Sequence, residues 1–129
     1  MASELRVNTL KDASGNNSIA TSFVANGSAK AWSNYSGSGT TFRDSFNCAS
    51  ATDNGTGDYT NSFTSSMNNT DYSVSMGVRY DSGANASYSA RSTELKAFAT
   101  GSIRYVGQIS TAAALDYDHT CPHIMGDLA

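Results

Sequence analysis

Large apolar side chains are scarce in this sequence: five Leu, four Ile, five Val and five Phe among 129 residues. A core built from so few of them is thin, and a chain of this length buries a smaller share of its surface than a long one. Burial against a partner is therefore expected to supplement folding. No run approaches the ~20 apolar residues of a membrane span, which excludes membrane insertion by a helix. Charge is sparse too. Eight Lys and Arg face eleven Asp and Glu, for a net charge of −3, and no basic cluster is present. Nucleic acid is thus not an expected partner, because its binding draws on concentrated Lys and Arg. Two cysteines, Cys48 and Cys121, are too few for a disulfide framework. The opening MASELRVNTLKD shows no apolar signal-peptide core, so both thiols are expected to be reduced.

What fills the chain instead is small and polar. Ser, Thr, Asn and Gly number 21, 13, 11 and 11, together 56 of 129 residues. Six N-x-S/T sequons follow from that abundance and carry no further message. Two-residue alternation recurs while helical periodicity is nearly absent. The clearest run places Tyr72, Val74, Met76, Val78 and Tyr80 on one face and Ser73, Ser75, Gly77 and Arg79 on the other. That is the signature of a half-buried antiparallel strand. Residues 42–52 set Phe42, Phe46 and Cys48 on one face, and residues 58–64 align Tyr59 with Phe63. Between them lies Asp53-Asn54-Gly55-Thr56-Gly57. Asn-Gly between two such runs predicts a hairpin, since both residues tolerate positive φ. Further strands are expected at 5–10, 31–35, 86–93, 102–109 and 115–125, with short helical pieces at 92–99 and 111–115. Pro122 cannot donate to a ladder, which predicts an edge position or a bulge for the last strand. The fold class is all-β: an antiparallel β-sandwich or jelly-roll-like knob over residues 31–129. Residues 1–30, rich in turns, read as an extended N-terminal docking arm whose Leu5, Val7 and Leu10 are its assembly contacts.

Chemistry-bearing patterns are few. A nucleophilic triad needs a placed Ser or Cys, a His and an acid. Both histidines fall in the last eleven residues, and no G-x-S-x-G elbow accompanies them. Nine of the eleven acids are Asp, mostly at predicted turns where Asp caps backbone amides. The 53–58 loop imitates a calcium loop, yet its twelfth position is Thr64 rather than Glu. No enzyme activity and no cofactor are expected. His119, Cys121 and His123 alternate along one predicted face with Leu115, Tyr117 and Met125 and are the candidate metal ligands. Their second-neighbour spacing of roughly 7 Å lets one chain seat at most two of them on an ion. The plainer reading is packing in a core or an interface. Trp32, Tyr35 and Tyr88 form a candidate recognition surface, because aromatic faces stack on the apolar faces of sugars.

Four segments carry a family resemblance. They are Leu5-Arg-Val-Asn-Thr-Leu-Lys-Asp-Ala-Ser-Gly-Asn16, Gly27-Ser-Ala-Lys-Ala-Trp32 with Gly39-Thr-Thr-Phe-Arg-Asp-Ser-Phe-Asn47, Thr52-Asp-Asn-Gly-Thr-Gly-Asp-Tyr-Thr60 and Ile124-Met-Gly-Asp-Leu-Ala129. In order and spacing they resemble segments of tail-fibre-like and capsid-decoration (cement) virion structural proteins of marine, cyanophage-type tailed bacteriophages. Asn61 and Cys48 stand where such chains carry Val, and His-Thr-Cys-Pro-His interrupts a usually apolar last strand. The resemblance implies a non-enzymatic, homotrimeric subunit on the virion surface, with capsid or tail proteins of the same particle as partners. It implies no catalytic residues. A receptor- or glycan-binding, lectin-like module at a fibre tip, with host surface glycan as ligand, is the alternative expectation.

Overall fold

The computed structural model describes residues 3, 5–80, 91–109 and 113–129, with Arg91 described through its backbone alone. Ten strands and one helix follow in the order β1 (Thr9–Lys11), β2 (Ser18–Ala20), α1 (Thr21–Gly27), β3 (Ala29–Tyr35), β4 (Phe42–Phe46), β5 (Cys48–Gly55), β6 (Asp58–Phe63), β7 (Ser73–Arg79), β8 (Arg91–Ala99), β9 (Ser102–Ile109) and β10 (His119–Met125). Eight of these strands build a sandwich of two antiparallel sheets, ordered β4-β3-β10-β7 and β5-β6-β9-β8. Among the described residues, the remaining two, β1 and β2, pair only with each other.

Alternation governs most of this layout. Along β3, Ala31, Ser33 and Tyr35 are buried while Trp32 and Asn34 lie half-exposed. Along β6, Tyr59, Asn61 and Phe63 point inward. On β7, Val74, Met76 and Val78 are half-buried and the residues between them exposed, as their spacing predicts. The predicted hairpin joins β5 to β6. Gly55 and Gly57 there adopt φ of 127° and 70°, the left-handed region in which glycine carries no steric cost. Gly57 also leaves no room for a side chain, since a Cβ would lie 2.7 Å from the Gly107 carbonyl oxygen.

Four expectations are corrected. Residues 42–52 are two strands rather than one, because Asn47 takes φ 53° and carries the chain from one sheet to the other. Asn tolerates that conformation. Its side chain holds the bend by donating to the carbonyls of Lys30 (2.9 Å) and Ser65 (3.0 Å) and accepting from the Ser65 amide (2.7 Å). Within β4 an extra residue at Arg43, where the register with β3 shifts between Asn34 and Tyr35, resets the alternation, so Phe42 lies opposite inward Tyr35 while Phe46 lies opposite outward Trp32 and is 53% exposed. Next, β10 is central, not at an edge, and its register shift against β3 falls between Ile124 and Met125 rather than at Pro122. Its register with β3 passes from Thr120↔Tyr35 to His123↔Trp32, skipping the partner that Pro122 cannot bond, while pairing with β7 is continuous. The segment 92–99, expected to be helical, lies in strand β8; at 113–114, Ala113 accepts from the Ile109 amide and Ala114 bridges Gln108. Finally, residues 21–27 form helix α1 within the arm. Lys30 Nζ reaches back to the carbonyls of Ser28 (3.0 Å) and Ala25 near its end.

The core is aromatic and unusually polar. Tyr35, Tyr59, Phe63, Met67, Tyr72, Ile103, Tyr105 and Ile124 fill it with Ala31. Rings meet edge to face, Tyr35 with Tyr59 at 5.6 Å and Phe63 with Tyr72 at 6.0 Å between centroids, a geometry that suits their quadrupoles. Every buried hydroxyl of this ring cluster has a partner. Tyr35 bonds Tyr105 across the sheets, and Tyr59 donates to the Gly37 carbonyl (2.6 Å) and to Asp116. Tyr72 donates to the carbonyls of Ser102 (2.8 Å) and Ala99 (3.0 Å). Asn61 donates to Ser33 Oγ at 2.8 Å, joining β6 to β3. Burial drives the phenol pKa values of Tyr35, Tyr59 and Tyr105 well above the ordinary 10.0, so all three stay neutral. At the rim of the second sheet, Arg104 grips Asp58 through two bonds of 2.8 Å, which lowers that carboxyl below its ordinary range.

Tyr105→Phe is expected to leave the Tyr35 hydroxyl unpaired between the sheets and to cost about 1–3 kcal/mol in urea unfolding. Tyr35→Phe with Tyr105→Phe should cost less than the sum of the two single changes, because neither hydroxyl is then stranded. Strict additivity in that cycle would show that the two hydroxyls do not interact.

Candidate functional site

Two surfaces merit attention: the outer face of the β4-β3-β10-β7 sheet and the N-terminal arm. On the sheet, the register fixes a rung that runs across all four strands. Phe46 lies opposite Trp32, Trp32 opposite His123, and His123 opposite Ser75. All four side chains alternate with buried neighbours or point to solvent, so this rung is an outward row with two aromatic members. Met125, 39% exposed, follows on the same face of β10. Cross-strand neighbours of this kind have Cβ atoms roughly 5 Å apart, close enough for the side chains to act together. Phe46 was not legible as a member, because the register shift at Arg43 that turns it outward leaves no pattern in the sequence.

Beside that rung sits a polar cluster. Arg43 donates through Nη1 to the Asp118 carbonyl at 2.7 Å and lies 3.5 Å from Asn34 Oδ1 and 3.4 Å from His119 Nδ1. His119 Nδ1 is in turn 3.3 Å from Asn34 Oδ1. The histidine is thereby built into a cluster that ties β3, β4 and the start of β10 together. His119, Cys121 and His123 do share a face, as their spacing predicts. It is the outer face, however, while Thr120, Pro122 and Ile124 turn into the core. Of the two packing readings, core and interface, the outer position excludes the core for all three. Tyr117, expected to share their face, is instead buried in the loop before β10, where its hydroxyl donates to the Gln108 carbonyl. Among the described residues no three His, Cys, Asp or Glu side chains are grouped to hold a metal ion.

The candidate recognition residues separate. Trp32 is on the surface. Tyr35 is fully buried, with its hydroxyl on Tyr105, and takes no part in any outer surface. Two small neighbours, Ala31 and Ser33, share its inner face, which is why the sequence pattern did not mark that face as buried. Tyr88, with all of residues 81–88, lies outside the described residues. The loop 64–71 is exposed except at Met67, which is buried in the core and bridges to Leu128.

The N-terminal segment, residues 5–28, has the opposite character, with apolar side chains that stay exposed among the described residues. Leu5 is 81% and Phe23 72% exposed, and Val7, Leu10, Ile19 and Val24 are exposed with them. Helix α1 has no buried residue. The arm is nonetheless ordered locally. Thr21 donates its amide to the Asn8 carbonyl (3.0 Å) and its hydroxyl to the carbonyls of Val7 (3.1 Å) and Asn8 (3.2 Å), closing the β1–β2 hairpin onto the helix. Asp12 closes the turn at the other end by accepting from Asn16 and Asn17.

Both cysteines are free. Cys48 faces inward, with Sγ donating to the Trp32 carbonyl at 3.4 Å, whereas Cys121 is on the outer face, so the sheet itself separates them. Burial raises both thiols above the ordinary value of 9.0, opposed at Cys121 by Arg43. Little thiolate is present at neutral pH, and iodoacetamide at pH 7 is expected to label both residues slowly, Cys121 before Cys48. Rapid labelling of either in the folded protein would contradict these environments. No protein-family model, curated sequence or solved structure matches the chain, and its function is read from its own geometry.

Proposed function

We propose that this chain is a non-enzymatic structural subunit of a tailed-bacteriophage particle, a knob or capsid-decoration protein that docks through its N-terminal arm and presents its sandwich outward. The observation that carries this reading is the arm: an ordered hairpin and helix that buries none of its large apolar side chains. A two-stranded hairpin is at best marginally stable by itself in water. One with this much uncovered apolar surface is suited to seat on another protein. The segment resemblance supplies the partners, capsid or tail proteins of the same particle and sister copies in a homotrimer. The low-charge Ser, Thr, Asn and Gly surface suits close homotypic packing. On this reading the protein is made in the host cytoplasm and resides on the particle surface.

One observation favours a second reading. The outward row of Phe46, Trp32 and His123 is a flat aromatic strip of the kind that stacks on sugar rings, which would make the knob a lectin-like module for host surface glycan. The same experiment separates the two. Phage particles lacking the protein are incubated with the wild-type chain, with Leu10→Asp plus Phe23→Asp, and with Trp32→Ala. The arm changes touch only exposed side chains, and each removes about 1.5–3 kcal/mol of apolar burial from a docked arm. Particle binding is expected to fall at least tenfold for the arm variant and to hold for Trp32→Ala. Equal binding by the arm variant contradicts the assembly reading. Glycan-array binding that Trp32→Ala abolishes would establish the second.

A further inference from the structure

Edges are the exposed weak points of a sheet, and sandwiches protect them with charges, bulges or short strands. Strand β4 is five residues long, carries Arg43 and Asp44, and has a register shift in its pairing. Strand β5 has two shifts, at Cys48/Ser50 and Asp53/Gly55. Strand β8 has a shift at Leu95/Ala97 and carries Glu94 and Lys96. Strand β7 differs from all three. Its seven residues pair without a shift to β10, and its one charge is the terminal Arg79. Among the described residues no strand pairs with its other side.

The register decides which backbone groups lie on that other side. On β3 the carbonyls of Lys30 and Trp32 accept from Asn47 Nδ2 and Cys48 Sγ, on the side of β4. Backbone groups alternate in direction along an antiparallel strand, so Ala31 and Tyr35 bond β10, through Ile124 and Thr120. Pro122 lies between those two with the same direction, and its missing N–H falls on the β3 side. His119, Cys121 and His123 then turn to β7 and bond Arg79, Gly77 and Ser75. The amides and carbonyls of Val74, Met76 and Val78 are left for the outer side. Their side chains belong to the inner layer and are half-buried, so each keeps apolar surface that a strand laid alongside would cover.

The residues about Met76 are nearly symmetric, with Ser75 and Gly77 next to it and Val74 and Val78 beyond. We infer that the β7 edges of two copies pair antiparallel about a two-fold axis at Met76, joining their four-stranded sheets into one. In that register Met76 meets Met76, and each Val74 meets a Val78. Every one of these pairs exchanges both of its N–H···O bonds, which uses all the outward groups of the strand. An axis at Ser75 or Gly77 would carry Val78 or Val74 past the end of the facing strand. On the outer layer Ser75 faces Gly77, and neither is large. Charge agrees with the same register: Arg79 lies opposite the partner's Ser73 and diagonal to the partner's Asp71, within reach of a long side chain. The contact is isologous and closes on itself, and a second copy is the occupant because the strand is its own complement. This goes beyond the assembly reading above, since it uses no residue of the arm, and a three-fold contact would need other surfaces.

The seam is one strand wide on each side, at the small end of specific interfaces, so single chain and dimer exchange with concentration. Light scattering and amide hydrogen exchange follow the full-length chain from dilute to concentrated protein. The mass is expected to climb from 13.5 kDa toward twice that value and no further. The Val74, Met76 and Val78 amides should exchange at least tenfold more slowly in the concentrated sample. Those of Ser75 and Gly77, bonded to β10, should stay protected throughout, and amides of β9 serve as the folding control. Ser73 is exposed, so its substitution leaves the core alone. Ser73→Glu should tighten the dimer and Ser73→Lys loosen it, with dissociation constants at least tenfold apart, because each change meets an Arg79 twice across the axis. Within one chain Ser73 and Arg79 stand at opposite ends of β7, so that order of affinities reports the seam. A mass of one chain at every concentration overturns the inference, as does a limit of three chains. Protection of the three amides that does not change with concentration overturns it too, and so do equal dissociation constants for the two variants. The particle reading is tested separately, through the arm variants.

Discussion

The sandwich depends on buried hydroxyls finding each other across the gap between its sheets. Tyr35 on β3 bonds Tyr105 on β9, and Asn61 on β6 donates to Ser33 on β3. A core with few Leu, Ile and Val has to be filled by tyrosines, and each tyrosine brings a polar atom that costs about 1–3 kcal/mol if left unpaired. Partnering these atoms constrains how the two sheets sit on one another more tightly than apolar contact alone, because hydrogen bonds are directional. Asn61 illustrates the point. An amide buried in a core is costly in isolation, and here it is one half of a link between sheets.

Such a core gives order at modest stability, and the rest of the molecule is consistent with that balance. The hairpin and α1 are ordered by Thr21 and Asp12, not by burial. Strand β7, at a sheet edge, pairs with β10 without a register shift and carries Arg79 as its one charged residue. Thin core and exposed apolar side chains are two aspects of one composition. A chain rich in Ser, Thr, Asn and Gly makes strands and turns readily but cannot enclose everything it builds.

The legible parts of the fold are those where alternation has large apolar residues to display. Tyr72, Val74, Met76 and Val78 marked β7, and Asn54-Gly55 marked the β5–β6 hairpin. Elsewhere the information is geometric. Asn47 bends the chain through a left-handed conformation that many Asn residues never adopt, and an extra residue at Arg43 in β4 turns Phe46 outward. Pro122 sits in a central strand because the lost bond falls on one neighbour only, which no local rule reveals. Tyr35 is buried beside Ala31 and Ser33, small residues that hide which face is inside. Of the site residues, Leu5, Val7 and Leu10 are exposed and Trp32 lies half-exposed on the outer face of its sheet. Phe23 and Val24 carry no sequence signal because α1 is too short to show a helical period, and Ile19 because β2 is only three residues long.

If burial against a second copy supplies stability that the core lacks, unfolding must depend on chain concentration. Binding that favours the folded state raises the melting temperature by mass action, whereas an independent monomer melts at one temperature whatever its concentration. The decisive measurement is the thermal midpoint of the full chain over roughly a hundredfold range of concentration, in which mass action favours association by up to about 2.7 kcal/mol. A midpoint that rises steadily by several degrees is the predicted result. A midpoint that stays constant across that range would contradict the account.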